Sequence, residues 1–403
     1  MVFESPLHIL VVTPYYKPAF IYGGPARSVP SLCEAMVQNG AQVTVFTTNA
    51  NGSANLDVPL GRPQNLDGVQ VIYFRRVIHG SFFWSPKLGD ALHKQANEFN
   101  LIHVNGVFSY PSRLASNAAN AHNLPYLISP RGMLMPWAIG YKSFKKSLYM
   151  RMFERRRIDQ AAALVCTDES ELEGIKRLGI QRPVYLIPNG INTRRFMDLP
   201  IQGLIRSKLK IPNGDKVILM LGRLHPVKRP DLAVQAFGII ASQYPNSHLV
   251  FAGPDEAGLE KSLRKIARQA NAGERIHFTG LLDPAGVLQA LADADIFLST
   301  SESENFGMAV AEAMSAGLPV VISEKIGISR YVARSDAGRV ISLDPESVAN
   351  GLACLLKQSN ILQEMGLRAR RVALENFDIA VVAQKMVDCY TEVIRGYKVK
   401  HPV

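Results

Sequence analysis

The stretch that most constrains the fold of this chain runs from residue 296 to residue 323. An apolar run at 296–298 leads into a polar loop, and an Ala-rich run of helix formers then extends from Gly307 to Gly317. Pro319 opens another apolar run. The pattern predicts a strand, a loop, a helix and a strand in succession, the repeating unit of a parallel α/β sheet.

Two carboxylates fall on this unit, Glu304 in the loop and Glu312 inside the helix. The helix start between them offers unpaired backbone N–H groups and the positive end of the helix dipole, which suit a phosphate. Four residues form that start: Asn305, Phe306, Gly307 and Met308. Carboxylates accept hydrogen bonds from hydroxyl pairs, so a sugar nucleotide would satisfy all three features. The alternative is that both glutamates are solvated surface charges.

The same residues resemble the signature of a known enzyme family. Glu304 and Glu312 lie within Glu-Asn-Phe-Gly-Met-x3-Glu-Ala-x3-Gly-Leu-Pro-Val, which is similar to the signature of glycosyltransferase family 4. The resemblance implies a retaining enzyme of the bacterial surface-polysaccharide type with the GT-B fold. The implied fold class is α/β, with two facing Rossmann-like doubly wound domains and an interdomain cleft.

The length of the chain also predicts two domains, because 403 residues are too many for one ordinary core. We expect an N-terminal domain over 1–190 and a second Rossmann-like domain over 191–378. The resemblance implies that the first binds the acceptor and the second the nucleotide sugar. It also implies that a C-terminal helix over 379–403 crosses back to the N-terminal domain.

Composition narrows the class of protein further. With 47% hydrophobic and 20% charged residues, and no apolar run as long as a membrane span, the chain reads as a soluble globular protein. The absence of a basic and apolar leader predicts a cytoplasmic location, with the inner face of the cell membrane as the alternative. The net charge of +11 permits an anionic partner. No nucleic-acid module is recognisable, so nucleic acid is not an expected partner.

Basic and glycine residues follow predicted strands in the second half. Gly222 and Arg223 come directly after one strand, and Lys228 lies five residues further on. Taken alone, loop cations of this kind are usually solvated, although Arg and Lys at strand ends also suit a diphosphate. The resemblance implies that Arg223 and Lys228 clamp the pyrophosphate. It also implies that Gly253 and Leu282, in two later loops, line the nucleotide base pocket.

In the first half of the chain, the candidate ligand-binding residues are Gly24 and polar residues at the ends of two buried strands. The Gly23-Gly24 pair precedes a helix predicted over 26–38, and it is either a flexible turn or a close approach to ligand. The resemblance implies that Gly24 contacts the donor.

The acceptor side is assigned to three polar residues. His103 and Asn105 alternate along a strand and share a face, and Arg131 follows the next strand. A lone histidine is more often a packed core residue than a catalyst. Related enzymes often carry a second histidine where this chain has Asn105, and asparagine orients a hydroxyl but does not take its proton at neutral pH.

The segment from 137 to 157 is basic and aromatic. Its apolar residues, which include Leu148 and Met152, recur at helical spacing, and its cations include Arg151, Arg155 and Arg157. The pattern predicts either a helix docked on its own domain with a solvated basic face or a helix lying on an anionic membrane.

These observations lead to one functional hypothesis. We expect a retaining hexosyltransferase that moves glucose from UDP-glucose to a glycan or lipid-linked glycan during assembly of a surface polysaccharide. No metal and no cofactor are expected, because no acidic pair with metal spacing accompanies the cations. The alternatives are a non-catalytic sugar-nucleotide-binding protein and another GT-B chemistry, such as a sugar-nucleotide epimerase or a pyridoxal-dependent phosphorylase.

Overall fold

Buried apolar strands that alternate with helices organise the chain. The computed structural model describes residues 6–135, 149–357 and 359–400. The chain divides into two units, one comprising Met1–Gly190 with Ile379–Val403 and the other Ile191–Asp378. Each unit is built around one largely parallel sheet, the arrangement expected when helices cover both faces.

The first unit contains an eight-stranded sheet and a two-stranded hairpin. Its strands are β1 (His8–Val12), β2 (Gln42–Thr48), β3 (Ala50–Asn51), β4 (Ala54–Asn55), β5 (Pro63–Leu66), β6 (Val69–Phe74), β7 (Leu101–Asn105), β8 (Tyr126–Ser129), β9 (Ala163–Cys166) and β10 (Val184–Leu186). The sheet order is β10-β9-β8-β7-β1-β2-β6-β5, and all neighbours are parallel except β5 and β6. The central strands are buried along nearly their whole length, as in sheets that are covered on both faces.

The helices of this unit begin just after loops at the sheet edge. They are α1 (Pro25–Gln38), α2 (Pro86–Gln95), α3 (Tyr110–Ala121), α4 (Arg155–Gln160) and α5 (Glu169–Arg177). The last helix of the chain, Ile379–Lys400, also belongs to this unit. Its residues Val382, Met386 and Tyr390 share a core with Leu32 and Met36 of α1.

The sequence pattern of residues 51–67 predicts a loop, but the structure has two short strands there, β4 and β5. Strand β5 pairs antiparallel with β6 at the sheet edge, from Pro63↔Ile72 to Leu66↔Val69. Its sequence Pro-Gln-Asn-Leu carries little strand propensity. Backbone pairing with β6 therefore fixes this strand, and proline is tolerated there because the strand lies at an edge.

The second unit contains a six-stranded sheet in which all neighbours are parallel. Its strands are β11 (Lys216–Leu221), β12 (Ser247–Ala252), β13 (Ile276–Phe278), β14 (Ile296–Ser299), β15 (Val320–Ser323) and β16 (Gly338–Ile341), in the order β13-β12-β11-β14-β15-β16. Its helices are α6 (Leu204–Lys208), α7 (Pro230–Ile240), α8 (Glu260–Gln269), α9 (Pro284–Asp293), α10 (Met308–Ser315), α11 (Ser329–Ser335), α12 (Pro345–Leu356) and α13 (Ser359–Asn376). Because β11 and β14 are neighbours, the loops that follow them leave the same edge.

The predicted basic helix over 137–157 is only partly described, since 137–148 lies outside the described residues. A π-helical turn, Met150–Glu154, leads into α4. The extra residue in such a turn rotates the following side chains about the helix axis. Met152, predicted on the apolar face, is exposed, and Arg157, predicted among the surface cations, is buried against Glu154 with 2.8 Å between Nη1 and Oε1. The prediction of a solvated basic face was therefore wrong for Arg157.

Two further findings concern membrane-spanning helices and the cysteines. Within the described residues, no helix combines the length and the apolarity that crossing a bilayer requires. The four cysteines form no disulfide, and only Cys354 is exposed.

Candidate active site

Glycines follow three neighbouring strands at the carboxyl edge of the second sheet, and the backbones of these strand ends lie close to one another. Gly222 donates its N–H to Ala252 (N···O 2.9 Å), and Gly253 donates to Gly280 (3.0 Å). Gly253 has φ +154°, and a Cβ at this position would lie 1.9 Å from the Gly222 carbonyl oxygen. No other residue type fits there without moving the backbone of the edge.

Lys228 lies on a short turn that leaves this edge. The turn Pro226–Lys228 is 3-10 helical and begins at His225, whose Nδ1 accepts the N–H of Val227 at 3.3 Å. Arg229 follows in the left-handed region, with φ +49°, and redirects the chain into α7. The Lys228 ammonium then reaches Glu304, with 2.7 Å between Nζ and Oε2.

Glu304 is fixed by its own loop. Ser301 donates its hydroxyl to Glu304 Oε2 at 3.2 Å. The backbone of Glu304 forms two hydrogen bonds with the loop after β15. Its N–H donates to Lys325 O (3.3 Å), and its carbonyl oxygen accepts the N–H of Gly327 (3.0 Å). The carboxylate is therefore held at the strand edge with a hydroxyl and an ammonium group on the same oxygen.

Thr300 joins the Lys228 turn to the Glu304 loop. Its hydroxyl lies 2.9 Å from Lys228 O and 2.8 Å from Arg229 O, and the residue is fully buried. Glu302 adds a backbone bond, donating its N–H to Val227 O at 2.8 Å. These contacts make the two loops one hydrogen-bonded unit, which the sequence alone did not suggest.

The helix start predicted at Asn305–Met308 is present. Gly307 caps α10 with φ +103°, and a Cβ there would lie 2.7 Å from Ile326 Cγ2. Phe306 is buried and meets the ring of Phe377 edge-on at 5.2 Å. Glu312 lies one turn after Met308 on the less buried side of α10. The helix is thus anchored by apolar contacts at the same edge that carries Glu304.

The contacts described for Arg223 and Leu282 lie outside the hydrogen-bonded unit of Lys228, Thr300 and Glu304. The Arg223 side chain is 58% exposed and pairs with Glu256 (Nη1 to Oε2, 2.8 Å), whereas Lys228 pairs with Glu304. Glu256 was not among the residues predicted from the sequence. Leu282 is partly buried against the core of the second unit.

In the first unit, the His103 side chain is buried and is hydrogen-bonded at both ring nitrogens. Its Nδ1 lies 2.7 Å from the Tyr390 hydroxyl, and its Nε2 lies 2.7 Å from Ser129 Oγ. Burial, assisted by the positive charge of Arg131, lowers the pKa of His103 to about 3. The imidazole is therefore neutral at physiological pH, and both of its nitrogens are occupied.

Asn105 and Arg131 form a second polar group at the end of β7. Arg131 donates from Nε (3.0 Å) and Nη2 (2.9 Å) to Asn105 Oδ1, and from Nη1 (2.7 Å) to Asn189 Oδ1. Arg131 has φ +56°, an uncommon conformation for a non-glycine residue. Among the described residues, Asn105 Nδ2 has no hydrogen-bond partner. Asn189, which was not among the residues predicted from the sequence, completes the group.

Gly24 lies on the first unit, before α1. It has helical angles (φ −50°, ψ −53°), whereas Gly23 has φ +75°. The conformation that requires glycine is therefore at Gly23. Space for a side chain is open at both positions.

Two protein families match this chain, over different parts of it. The family described as Glycosyltransferase Family 4 matches residues 22–195, and the family described as Glycosyl transferases group 1 matches residues 202–372. Together these matches cover most of the 403 residues. The chain is a glycosyltransferase of the family 4 type.

Relatives of this family 4 glycosyltransferase differ in how much of it they cover. An uncharacterised glycosyltransferase of Methanocaldococcus jannaschii is 24% identical over 397 residues, which is 95% of this chain and 98% of that protein. A D-inositol 3-phosphate glycosyltransferase of Nocardia farcinica is 26% identical over 249 residues, 60% of this chain and 55% of that protein. The chain therefore matches only about half the length of the second relative.

Solved structures establish the fold of the family 4 glycosyltransferase. The crystal structure of Anabaena HepE in complex with UDP-glucose has a TM-score of 0.69 at 17% identity, over 96% of this chain and 100% of that one. The GT-B fold that the sequence predicted is confirmed. Among the described residues of this glycosyltransferase, no three His, Cys, Asp or Glu side chains are grouped as a metal ion would require.

Proposed function

We propose that this glycosyltransferase is a retaining hexosyltransferase that moves glucose from UDP-glucose to a glycan or lipid-linked glycan. In this proposal the second unit holds the donor and the first unit holds the acceptor. The product contributes to a surface polysaccharide, and the protein acts at the cytoplasmic side of the membrane with peripheral contact to anionic lipid. The HepE structure, which is a complex with UDP-glucose, supports the choice of donor.

The observation that carries the proposal is the Lys228–Glu304 pair at the strand edge beside the start of α10. In the reaction Lys228 stabilises the negative charge that develops on the leaving diphosphate, worth about 3 kcal/mol by comparison with other preorganised charge stabilisers. Glu304 holds hydroxyls of the transferred sugar, and Glu312 holds the ribose diol. The backbone from Asn305 to Met308 contacts phosphate at the helix N-terminus.

Arg223 supplies the second cation of the proposed clamp. Its side chain is exposed and its partner Glu256 lies on the same unit, so an incoming diphosphate competes with one surface carboxylate. Exposed ion pairs of this kind contribute about 0–1 kcal/mol, so exchanging the partner costs little. Gly222 and Gly253 keep the edge free of side chains, and Leu282 lies beside the nucleotide base. Gly24 is also assigned to donor binding.

The chemical step needs no protein nucleophile in this proposal. The bond between the anomeric carbon and the phosphate oxygen breaks, and a bond from the acceptor oxygen forms on the same face. The proton of the acceptor hydroxyl passes to an oxygen of the leaving phosphate. His103 is neutral and bonded at both nitrogens, and Asn105 has no basic group, so neither residue is assigned the role of base.

Asn105 and Arg131 are assigned to positioning on the acceptor side. Arg131 fixes the orientation of the Asn105 amide through two hydrogen bonds to Oδ1. The amide Nδ2 is then the donor for a sugar oxygen. No cofactor is assigned, and turnover is expected to persist in the presence of EDTA.

The test is UDP release with purified protein, a panel of nucleotide sugars, and glycan or lipid-linked acceptors. Acceptor-dependent UDP release from UDP-glucose, abolished by Lys228→Met and resistant to EDTA, is the expected result. Donor binding without turnover on any acceptor would indicate a non-catalytic binding protein. Conversion of the donor with no acceptor present would indicate an epimerase.

A further inference from the structure

We infer that one edge of the second unit binds an acidic peptide segment of another protein in an extended conformation. The surface, called here the basic edge, consists of β13 and four exposed cations of the neighbouring helix α8: Lys261, Arg264, Lys265 and Arg268. None of these residues takes part in the proposed reaction. The inference therefore concerns a second binding site on the same unit.

The cations of the basic edge lie on one side of α8. They recur at spacings of three and four residues, so they are neighbours on the helix surface, whereas Leu263 and Ala267 on the other side are buried. In the part of the chain that the structure describes, only Arg264 of the four forms an ion pair, with 2.7 Å between its Nη2 and Glu260 Oε1. Like charges at these spacings repel one another, so an anionic partner would stabilise the helix.

A groove of about 580 Å³ lies between α8 and β13. Arg264 and Arg268 line it from the helix. Arg275 also lines it, but its guanidinium already donates to Tyr244 O (2.9 Å) and to Ala241 O (2.7 Å). The groove thus offers Arg264 and Arg268 to a ligand, and planar guanidinium groups bind carboxylates through paired hydrogen bonds.

The backbone of β13 adds an open strand edge to the groove. Among the described strands, β13 pairs only with β12, and Thr279 donates its N–H to Phe251 O at 3.0 Å. Since alternate residues of a parallel strand bond to the same neighbour, the N–H and C=O groups of Phe278 point away from β12. Phe278 also lines the groove. An extended peptide could bond to these groups as an added strand, the recognition mode in which backbone pairing gives affinity.

The surroundings of the groove favour a peptide over other anionic partners. The Phe278 ring stacks with Phe251 (5.1 Å between ring centres) and lies under the Arg264 guanidinium (4.6 Å), so it is not a free platform for a nucleic-acid base. Glu260 and Glu274 beside the cations would repel a continuous phosphate backbone, whereas a peptide can place its carboxylates opposite the arginines alone. A second copy of this chain does not fit, because pairing of two β13 strands would bring the cations of both copies together.

Fluorescence anisotropy of labelled synthetic peptides tests the inference with the full-length protein. The probe is a peptide of about ten residues in which Glu and Val alternate, and its binding is expected to weaken as salt is added. A peptide of the same length in which Gln and Val alternate is expected to bind about 30-fold more weakly. The reason is that its amides form no charge-assisted hydrogen bonds with Arg264 and Arg268.

The variant Arg264→Gln with Arg268→Gln removes the two cations that the groove offers. We expect it to bind the Glu-Val peptide about 20-fold more weakly than the wild type, since each lost ion pair contributes up to about fivefold. The matched control is Lys208→Gln with Arg371→Gln, which removes two exposed cations elsewhere in the second unit and should leave binding unchanged. Arg264→Glu with Arg268→Glu should instead gain binding to a peptide in which Lys and Val alternate, which also shows that a changed groove is still folded.

Methylation of the peptide backbone separates strand pairing from charge. Two Glu-Val peptides are compared, each with methyl groups on one of the two alternating sets of backbone nitrogens. One is expected to lose binding and the other to keep it, because only one set of N–H groups faces β13. With the unmethylated peptide bound, hydrogen exchange of the Phe278 amide is expected to slow, whereas that of Thr279, which is already bonded to Phe251, should not change.

Any one of four results would overturn the inference. They are equal affinities for the Glu-Val and Gln-Val peptides, equal binding by the Arg264→Gln/Arg268→Gln variant and its control, equal binding of the two methylated peptides, and displacement of the peptide by single-stranded DNA at a lower concentration than by unlabelled peptide. The last result would make a nucleic acid the partner. None of these measurements uses a nucleotide sugar, so absence of UDP release with every acceptor would refute the proposed reaction alone.

Discussion

Lys228 and Glu304 form an ion pair, with 2.7 Å between Nζ and Oε2, although their positions are far apart in the sequence. The pair exists because β11 and β14 are adjacent and parallel, so the loops that follow them share one edge. Both side chains are partly buried. In the proposed reaction a leaving diphosphate takes the place of Glu304 as the partner of the Lys228 ammonium, and Glu304 turns to the sugar hydroxyls.

Removing the Lys228 ammonium tests this role directly. Lys228→Met is expected to lower kcat for UDP release by about 100-fold or more, because developing charge on the diphosphate loses a preorganised cation. Lys261→Met, at an exposed position of α8, is the matched control and should leave kcat unchanged. Equal kcat for both variants would remove Lys228 from the mechanism.

Thr300 is expected to act through Lys228 and not on the substrate itself. Thr300→Val keeps the shape of the side chain but leaves the carbonyls of Lys228 and Arg229 without their donor. We expect kcat to fall about tenfold while the KM for the donor changes little, because misplacement of a charged group acts mainly in the transition state. Thr300→Ser restores the hydroxyl and should restore kcat. Failure of the serine variant to recover would mean that the effect is one of packing alone.

The closeness of the strand ends at Gly253 predicts a large steric effect. Gly253→Ala is expected to cost more than about 3 kcal/mol in the free energy of unfolding, since the new Cβ meets the Gly222 carbonyl. Gly258→Ala is the control, because Gly258 also has a positive φ but has open space around it, and it should cost about 1 kcal/mol. Urea denaturation gives both values, and equal costs would contradict the proposed close approach.

His103 gives the stability of the protein a specific dependence on pH. Burial lowers its pKa in the folded state to about 3, against 6.5 for the ordinary group, so between these values the unfolded state binds the extra proton. Stability is therefore lost as the pH falls below about 6.5. Between pH 7 and pH 5 the wild type should lose about 2 kcal/mol more than His103→Gln. Parallel pH profiles for the two proteins would show that His103 does not titrate in this way.

The sequence predicted the parts of the fold that depend on local pattern. Apolar strands followed by glycine turns specified both parallel sheets, and the motif around Glu304 specified the family. Edge strand β5 was missed because Pro-Gln-Asn-Leu has no apolar alternation, and its pairing with β6 is a tertiary effect. Thr300 was missed for a related reason, because a buried hydroxyl that bonds to carbonyls about 70 residues away leaves no periodic signal.

The contacts of some site residues were also predicted from the sequence, whereas those of others were not. Lys228 and Glu304 were assigned to one site, and the structure places them in contact. Arg223 was assigned beside them but pairs with Glu256, since a long exposed side chain finds the nearest surface carboxylate. Asn189 was not assigned, because its contact with Arg131 depends on how the loop after β8 meets the segment after β10. The partners of long side chains and the contacts between loops depend on tertiary packing, which a local sequence pattern does not predict.

The buried pair of Glu154 and Arg157 predicts the largest stability effect outside the site. Glu154 Oε1 accepts from Arg157 Nη1 at 2.8 Å and from the Phe108 N–H at 3.1 Å, and burial raises the pKa of Glu154 while it lowers that of Arg157. Arg157→Met leaves a carboxylate without its cation in the core, so we expect a loss of about 3–5 kcal/mol in the free energy of unfolding.

The exposed pair on the same helix supplies the comparison. Asp159→Asn breaks the Arg155–Asp159 pair, which is worth only about 0.5 kcal/mol at a solvated i,i+4 position. The double change Glu154→Leu with Arg157→Met removes both charges and should recover much of the loss, because neither partner is then left unpaired. Urea denaturation gives the free energy of unfolding of the three variants. If Arg157→Met lowered the free energy of unfolding no more than Asp159→Asn does, the Arg157 guanidinium would be solvated. Arg157 would then belong to the basic surface predicted from the sequence.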